Sequence, residues 1–133
     1  MKRILNFPSQ LENITIVEKL IDELSDTYKL NTELYGNILV SVVESVSNAI
    51  LHGNQSDVSK FVHIECFVHN ENISFIVSDE GTGFNFKDIP DPTLPENIDI
   101  PHGRGIFLMH RLADSVQFDK NGSQVAISFR ISN

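Results

Sequence analysis

One segment, residues 31–53, constrains the fold most, because a helix built from it has two sharply different faces. At 3.6 residues per turn, apolar side chains recur on one face and short polar ones on the other. Asn31 or Thr32 can cap this helix, and Gly53 ends it. The apolar face must pack on a sheet. The polar face is either a solvated surface or a pocket wall, and its short side chains favour the pocket wall. The apolar face comprises Ile38, Leu39, Val42, Val43, Val46, Ala49 and Ile50, and the polar face comprises Asn37, Ser41, Glu44, Ser45, Asn48 and His52.

The strands are predicted from runs in which apolar and polar residues alternate. Two turns join neighbouring strands, one at residues 70–72 and one at Asn121-Gly122, a pair that is typical of tight hairpins. The predicted strands are residues 3–7, 61–68, 73–77, 116–118 and 125–131.

Two further helices are predicted from helical spacing, at residues 11–28 and 105–113. Ser9 and Glu12 have the spacing of a capping box at the start of the first of them. The predicted class is therefore α+β: a two-layer α/β sandwich in which three helices cover one face of a mixed, mainly antiparallel sheet.

Length and composition limit the possible classes of protein. The 133 residues predict one domain, 1–133, with 41% hydrophobic residues. The net charge of −8 disfavours a nucleic-acid partner, because such binders depend on cationic contacts to phosphates. The contiguous apolar runs are short for a bilayer, and no signal-peptide pattern is found, so we expect no membrane association. The single cysteine, Cys66, excludes an intrachain disulfide and fits a cytoplasmic location.

Glu44 and Asn48 are the residues of the polar helix face with the clearest chemistry. They stand four positions apart, so their side chains are neighbours. Mg²⁺ prefers hard oxygen ligands and phosphate oxygens, a role that the Asn48 amide oxygen suits. Glu44 can take a proton from an attacking water or hydroxyl. His52 can reach the same site, although a histidine at a helix end is more often structural.

A glycine turn follows the predicted strand at residues 73–77. Gly81 and Gly83 lack side chains, so a flat ring can lie against the backbone there. The Asp79 carboxylate can accept a hydrogen bond from the exocyclic amine of adenine. By itself this pattern also fits a tight acidic turn or a fragment of a calcium loop.

The third cluster, Gly103-Arg104-Gly105, opens the last predicted helix. Free amides at a helix start attract anions, and a guanidinium binds phosphate through two hydrogen bonds. The chain has neither a Walker A loop nor a G-x-G-x-x-G motif, because Leu108 takes the place of the third glycine. A P-loop and a Rossmann dinucleotide site are therefore disfavoured.

Residues 84–102 break the regular pattern between the second and third clusters. Four of the five prolines fall in this segment, and proline removes amide donors. A loop of this length in a compact domain usually has a function. A lid over a ligand and a surface excursion with no role are the two interpretations.

The order of these clusters resembles the GHKL or Bergerat-type ATP-binding fold of gyrase, histidine kinases and their relatives. Glu44-x-x-x-Asn48-Ala49-x-x-His52-Gly53 looks like the N box of that family. Asp79-x-Gly81-x-Gly83-Phe84 looks like its first glycine box, and Gly103-Arg104-Gly105-Ile106-x-Leu108 looks like its second. The resemblance covers residues 10–131 and is strongest to the single-domain anti-sigma-factor serine/threonine kinases.

This resemblance implies a role for each matching residue, with ATP and Mg²⁺ as the bound groups. Asn48 would hold the magnesium ion, and Glu44 would be the general base. Asp79 would contact adenine, while Gly81 and Gly83 would shape the base pocket.

The resemblance also implies contacts around the phosphates. Residues 84–102 would be the ATP lid, with Arg104 and Gly105 at the phosphates. Ser123 stands where the family commonly has a threonine near the base. The remaining implied nucleotide contacts are His52, Phe84 and Gly103.

Three functions compete at this stage. The first is an ATP-dependent anti-sigma-factor serine/threonine protein kinase that binds a sigma factor and phosphorylates a STAS-type anti-anti-sigma protein, partners that the resemblance alone implies. The second is a non-catalytic ATP-binding interaction module that regulates a signalling partner. The third is an accessory ATP-binding domain that works with a separate phosphatase or sensor. A homodimer is left open. Glu44 favours the enzyme, because nucleotide binding alone requires no base.

Overall fold

The computed structural model describes residues 1–83 and 103–131, without the side chains of residues 103 and 104. The predicted lid, residues 84–102, lies outside the described residues, as does Phe84. In the described part three α-helices and five β-strands follow the predicted order. They are β1 (Lys2–Pro8), α1 (Ile14–Tyr28), α2 (Thr32–Asn48), β2 (Phe61–His69), β3 (Asn72–Ser78), α3 (Gly103–Leu112), β4 (Ser115–Asp119) and β5 (Gln124–Arg130).

The five strands form one sheet in the order β1-β2-β3-β5-β4. Every strand pair within the described ranges is antiparallel, so the sheet is antiparallel throughout there rather than mixed. Tight turns make this possible: Asn70 and Glu71 take positive φ between β2 and β3, and Asn121 and Gly122 do so between β4 and β5. The predicted α+β class is confirmed.

Alternation along the strands gives the sheet one covered and one open face. Side chains on one face of β2, β3 and β5 are buried, and they pack with the apolar sides of the three helices. Their period of two places every second residue in this core. The buried strand residues are Val62, Ile64, Cys66, Ile73, Phe75, Val77, Val125, Ile127 and Phe129.

The expected capping box at the start of the first helix is wrong. Ser9 is buried, and its hydroxyl donates to the carbonyl of Lys60 at 2.6 Å instead of capping a helix. A short 3₁₀ helix, Leu11–Asn13, leads into α1. The reason is tertiary, because the end of β1 lies beside the start of β2 and offers Ser9 a partner.

α2 begins and ends as predicted, with one local change. The Asn31 side chain accepts a hydrogen bond from the amide of Leu34 at 2.8 Å, which confirms the cap. The last turn widens into a π-helix, Ala49–Gly53, closed by a hydrogen bond from the Asn54 amide to the Ala49 carbonyl. π-Turns of this kind are frequent at functional sites.

The polar face of α2 is narrower than predicted. Ser41 and Ser45 are buried, because α2 packs against α3 as well as against the sheet. The Ser45 hydroxyl donates to the Val42 carbonyl at 2.9 Å, and the Ser41 hydroxyl has no partner in the described part of the chain. These two serines therefore belong to the interior rather than to a pocket wall.

The segment Thr32–Gly53 is long and apolar enough, by length and composition alone, to cross a membrane. In the fold one side of this segment packs into the core. Ile38, Val42 and Val46 are fully buried against the other core side chains, and its remaining side carries Glu44 and Asn48.

The single cysteine has no chemical role that the fold supports. Cys66 is buried in the sheet, as the alternation predicts, and burial raises the pKa of its thiol to about 12. The thiolate form is therefore negligible at neutral pH.

Candidate functional site

Four pieces of chain converge at one end of the helix-covered side. They are the C-terminal half of α2 with its π-turn, the glycine turn after β3, the first turn of α3 and the turn between β4 and β5. The contacts between them are close enough that glycine is required at several positions. Each contact involves at least one residue that the sequence motifs contain.

Glu44 joins α2 to α3. A methyl group built on Gly105 would lie 2.4 Å from Glu44 Oε2, so the carboxylate occupies the space beside Gly105 that a side chain would fill. Glu44 is half-buried, and within residues 1–83 and 103–131 no hydrogen bond or ion pair engages its carboxylate. A partly desolvated, unengaged carboxylate is free to bind a ligand or to accept a proton.

Asn48 lies one turn after Glu44 and is also half-buried. Its side-chain amide makes no hydrogen bond to another residue of the described part. The donor type fits Mg²⁺, which takes one or two protein oxygens and completes its shell with phosphates and water. His52 lies in the π-turn, where it is exposed.

Asp79 is the half-buried carboxylate of the glycine turn. Burial raises the pKa of Asp79, and a hydrogen bond from the Gly81 amide at 2.8 Å opposes that shift. The aspartate amide itself donates to the Ser123 carbonyl at 2.9 Å, which ties the turn to the start of β5. The carboxylate thus accepts one hydrogen bond, from the Gly81 amide, and keeps acceptor capacity for a further donor.

Two glycines make room for this carboxylate. A methyl group on Gly53 would lie 2.3 Å from Asp79 Cγ, and one on Gly81 would lie 2.0 Å from the Gly53 carbonyl oxygen. Real Cβ atoms do not approach other atoms so closely. Gly81 meets backbone, so the chain requires glycine there, whereas a side chain at Gly53 would have to displace the Asp79 carboxylate. The end of α2 and the glycine turn therefore pack backbone against backbone.

Gly83 and Ser123 connect the turn to the β4–β5 hairpin. Gly83 has φ of 86°, and a methyl group there would lie 1.9 Å from the Asn121 carbonyl oxygen. Ser123 donates its hydroxyl to the Lys120 carbonyl at 2.9 Å, and it meets Asp79 through its backbone. The structure thus brings Ser123 beside the predicted base site, while its role stays a prediction.

The third motif opens a helix, as predicted. α3 begins at Gly103 and runs to Leu112. Its first amides have no intrahelical partner and create a site favourable for anions. The predicted phosphate role of Arg104 rests on its side chain, which lies outside the description.

Sequence reasoning missed the contribution of Asn54. This residue is completely buried, and it bonds to three chain segments. An asparagine directly after a helix-ending glycine was the only signal available, and two of its partners, Ser9 and Glu80, are far away in the chain. Gly53 was predicted to end the helix and stood in the N box with no implied contact, whereas the structure places it against Asp79.

Comparison with known proteins supports the motif-based resemblance. The family model described as "Histidine kinase-like ATPase domain" matches residues 7–129. An anti-sigma F factor of Clostridium perfringens is 31% identical over 106 residues, covering 78% of this chain and 68% of the relative. Serine-protein kinase RsbW of Bacillus subtilis is 25% identical over 130 residues, covering 93% and 81%.

A solved structure agrees with the fold. The structure of the RsbU and RsbW domains of a Mycobacterium tuberculosis protein superposes with a TM-score of 0.66 at 13% identity. The match covers 97% of this chain but only 31% of that larger chain, so the likeness concerns the fold. The match to the family model and the similarity to the anti-sigma F factor establish that this chain belongs to the histidine kinase-like ATPase domain family.

Proposed function

We propose that this chain is an ATP-dependent anti-sigma-factor serine/threonine kinase. In this proposal it binds a sigma factor and phosphorylates a STAS-type anti-anti-sigma protein in the cytoplasm. The observation that carries the catalytic part is Glu44, a half-buried carboxylate one turn before Asn48 and against the first turn of α3. The names of the relatives, an anti-sigma F factor and a serine-protein kinase, support the choice of partners.

The nucleotide would be oriented with its base at the glycine turn and its phosphates between α2 and α3. Asp79 would accept a hydrogen bond from the adenine amine. The space that Gly53 and Gly81 leave beside that carboxylate would keep it in place. The amides at the start of α3 would face the phosphates. A bound Mg²⁺ ion would neutralise phosphate charge, and Asn48 would supply its oxygen ligand on the protein.

In the proposed reaction, Glu44 would accept the proton of the serine hydroxyl. The serine oxygen would form a bond to the γ-phosphorus, the bond from that phosphorus to the β,γ-bridging oxygen would break, and ADP would leave with the bridging oxygen. A positioned base contributes ~10²–10⁴ in rate. The remaining acceleration would come from holding the phosphates and hydroxyl in line.

The decisive experiment is transfer of label from ATP carrying a radioactive γ-phosphate to a STAS-domain partner. We expect Mg²⁺-dependent labelling on serine or threonine. If the protein binds ATP but transfers no labelled phosphate to partners captured from the native organism, the proposed kinase activity is contradicted and a non-catalytic ATP-binding module is favoured. A homodimer stays a prediction, to be tested by sedimentation with and without ATP.

A further inference from the structure

The Asn54 side chain makes three hydrogen bonds, and the proposed reaction assigns it no role. Its side chain is fully buried, with a relative exposure of 0%. The amide nitrogen donates to the Ser9 hydroxyl at 2.8 Å and to the Phe61 carbonyl at 3.0 Å. The amide oxygen accepts from the backbone N–H of Glu80 at 2.7 Å. Both donor hydrogens are thus used, and the oxygen is engaged.

These bonds join parts of the chain that are remote in sequence. Ser9 follows β1, Phe61 begins β2, and Glu80 follows Asp79 in the glycine turn. A second bond closes the same loop, because the Glu80 carboxylate accepts from the Phe61 amide. The Ser9 hydroxyl in turn donates to the Lys60 carbonyl, which anchors the network to the sheet edge.

The neighbouring residue faces the Asp79 carboxylate directly. Gly53 leaves the space that the carboxylate fills, since a methyl group there would lie 2.3 Å from both Cγ and Oδ2 of Asp79. One residue later, Asn54 fixes the amide that follows Asp79. Gly53 therefore forms the seat of the carboxylate, and Asn54 holds the backbone that carries it.

We propose that Gly53 and Asn54 are positioning residues for the nucleotide base. They lock the Asp79 turn to the end of α2, the helix that carries Glu44 and Asn48, and so set the distance between the base site and the phosphate site. This inference rests on the proposed function, because it assigns Asp79 the contact with adenine. An asparagine fits this task because one side chain supplies two donors and one acceptor in a plane.

Both residues can be tested through their coupling to Asp79. Asn54→Ala leaves the Glu80 amide without its partner, and Gly53→Ala pushes a flexible carboxylate from its seat while the fold is kept. We expect each substitution to raise the Kd for Mg²⁺-ATP about tenfold at a temperature where circular dichroism shows a folded protein. In an Asp79→Asn background each should add little to the loss, because both act through that carboxylate.

Ser9→Ala is the matched control. It removes a bond of Asn54 on the side away from Asp79, so it should lower Tm and leave the Kd for ATP unchanged. Losses that add fully to that of Asp79→Asn would show a merely structural role and overturn the proposal. Parental affinity in either Gly53→Ala or a folded Asn54→Ala would do the same.

Two further observations separate this proposal from the function beneath it. A parent protein that does not bind ATP overturns both. A parent that binds ATP normally while Gly53→Ala binds equally well overturns the positioning role alone. If Asn54→Ala fails to fold, hydrogen exchange of the Glu80 amide in the parent decides its part: slow exchange is expected, and exchange at the rate of a free amide contradicts the anchor.

Discussion

Glu44 is the residue on which enzymatic activity depends in this proposal. Its carboxylate lies one turn before Asn48 and touches the backbone of α3, without a hydrogen bond to any other described residue. We expect Glu44→Gln to keep ATP and partner binding while phosphoryl transfer falls by ~10²–10⁴, because the amide retains the shape but cannot accept the proton. Single-turnover transfer to the partner and ATP titration of the same variant measure the two quantities.

Glu80→Gln provides a matched control for that substitution. Glu80 is exposed, and its side chain accepts a hydrogen bond from the Phe61 amide, which a glutamine oxygen can also accept. The control should transfer phosphate at the parental rate. Full activity in Glu44→Gln would show that Glu44 is not the base.

The Asp79 carboxylate should lower the stability of the nucleotide-free protein and strengthen its binding of ATP. Burial raises the pKa of Asp79, so the folded protein holds this proton more tightly than the unfolded chain does. Stability therefore falls as pH rises through the interval between the unfolded and folded pKa values, and the cost of the buried charge is present above that interval. Asp79→Asn removes that cost, so the nucleotide-free variant should be at least as stable as the parent.

The same variant should bind ATP at least tenfold more weakly. The asparagine amide can turn its N–H group toward the adenine amine, and two donors do not form a hydrogen bond. Thermal unfolding at neutral pH, with and without ATP, tests both halves together. A variant that is less stable when empty, yet stabilised by ATP as strongly as the parent, would contradict both assignments.

At the scale of elements, α2 and α3 come close together where the Glu44 carboxylate lies beside Gly105. A methyl group there meets Glu44 Oε2 at 2.4 Å, so Gly105→Ala should displace that carboxylate and destabilise the parent. In a Glu44→Ala background the space is free, and alanine should then stabilise the helix by up to about 1 kcal/mol through its better propensity.

Denaturant unfolding of the four proteins in this cycle gives the coupling energy between the two positions. We expect about 1 kcal/mol or more, which is typical of residues in contact. Equal effects of Gly105→Ala in both backgrounds would mean that the carboxylate does not occupy this space in solution.

Elements were predictable where local sequence determines them. Alternation placed the strands, Asn31 marked the start of α2, and Asn121-Gly122 marked the last hairpin. Ser9 was misassigned as a cap because its partner, the Lys60 carbonyl, is 51 residues away in the chain. Contacts at that separation leave no periodic signal in a single sequence.

The candidate site was predictable to a similar degree, and its supporting contacts were missed for the same reason. The motifs identified Glu44, Asn48 and Asp79 as chemistry-bearing residues. The seat at Gly53 and the network of Asn54 appear only when the end of α2 meets the glycine turn. Residue type can indicate chemistry, whereas the residues that hold that chemistry in place are determined by packing.

At the scale of the whole molecule, the candidate site takes residues from α2 and α3, from the turn after the central strand β3 and from the turn between the edge strand β4 and β5. The glycine turn follows β3, which lies in the middle of the strand order, and Ser123 ties that turn to β5. Nucleotide binding should therefore stabilise the global fold instead of one peripheral segment. A single core also predicts one cooperative unfolding transition.

We expect Mg²⁺-ATP at a hundredfold its Kd to stabilise the folded protein by about 2.7 kcal/mol, which corresponds to a rise in Tm of about 5–15 °C. Part of that rise should require Mg²⁺, because in the proposed site Asn48 would bind the metal and the metal would bind the phosphates. Asn48→Ala should therefore keep the rise that ATP gives in the presence of EDTA and lose the additional rise on adding Mg²⁺. Calorimetry of the parent and of Asn48→Ala, with ATP in EDTA and with ATP and Mg²⁺, measures these rises in Tm. An Mg²⁺-dependent increment of the same size in the variant would place the metal ligand elsewhere in the chain.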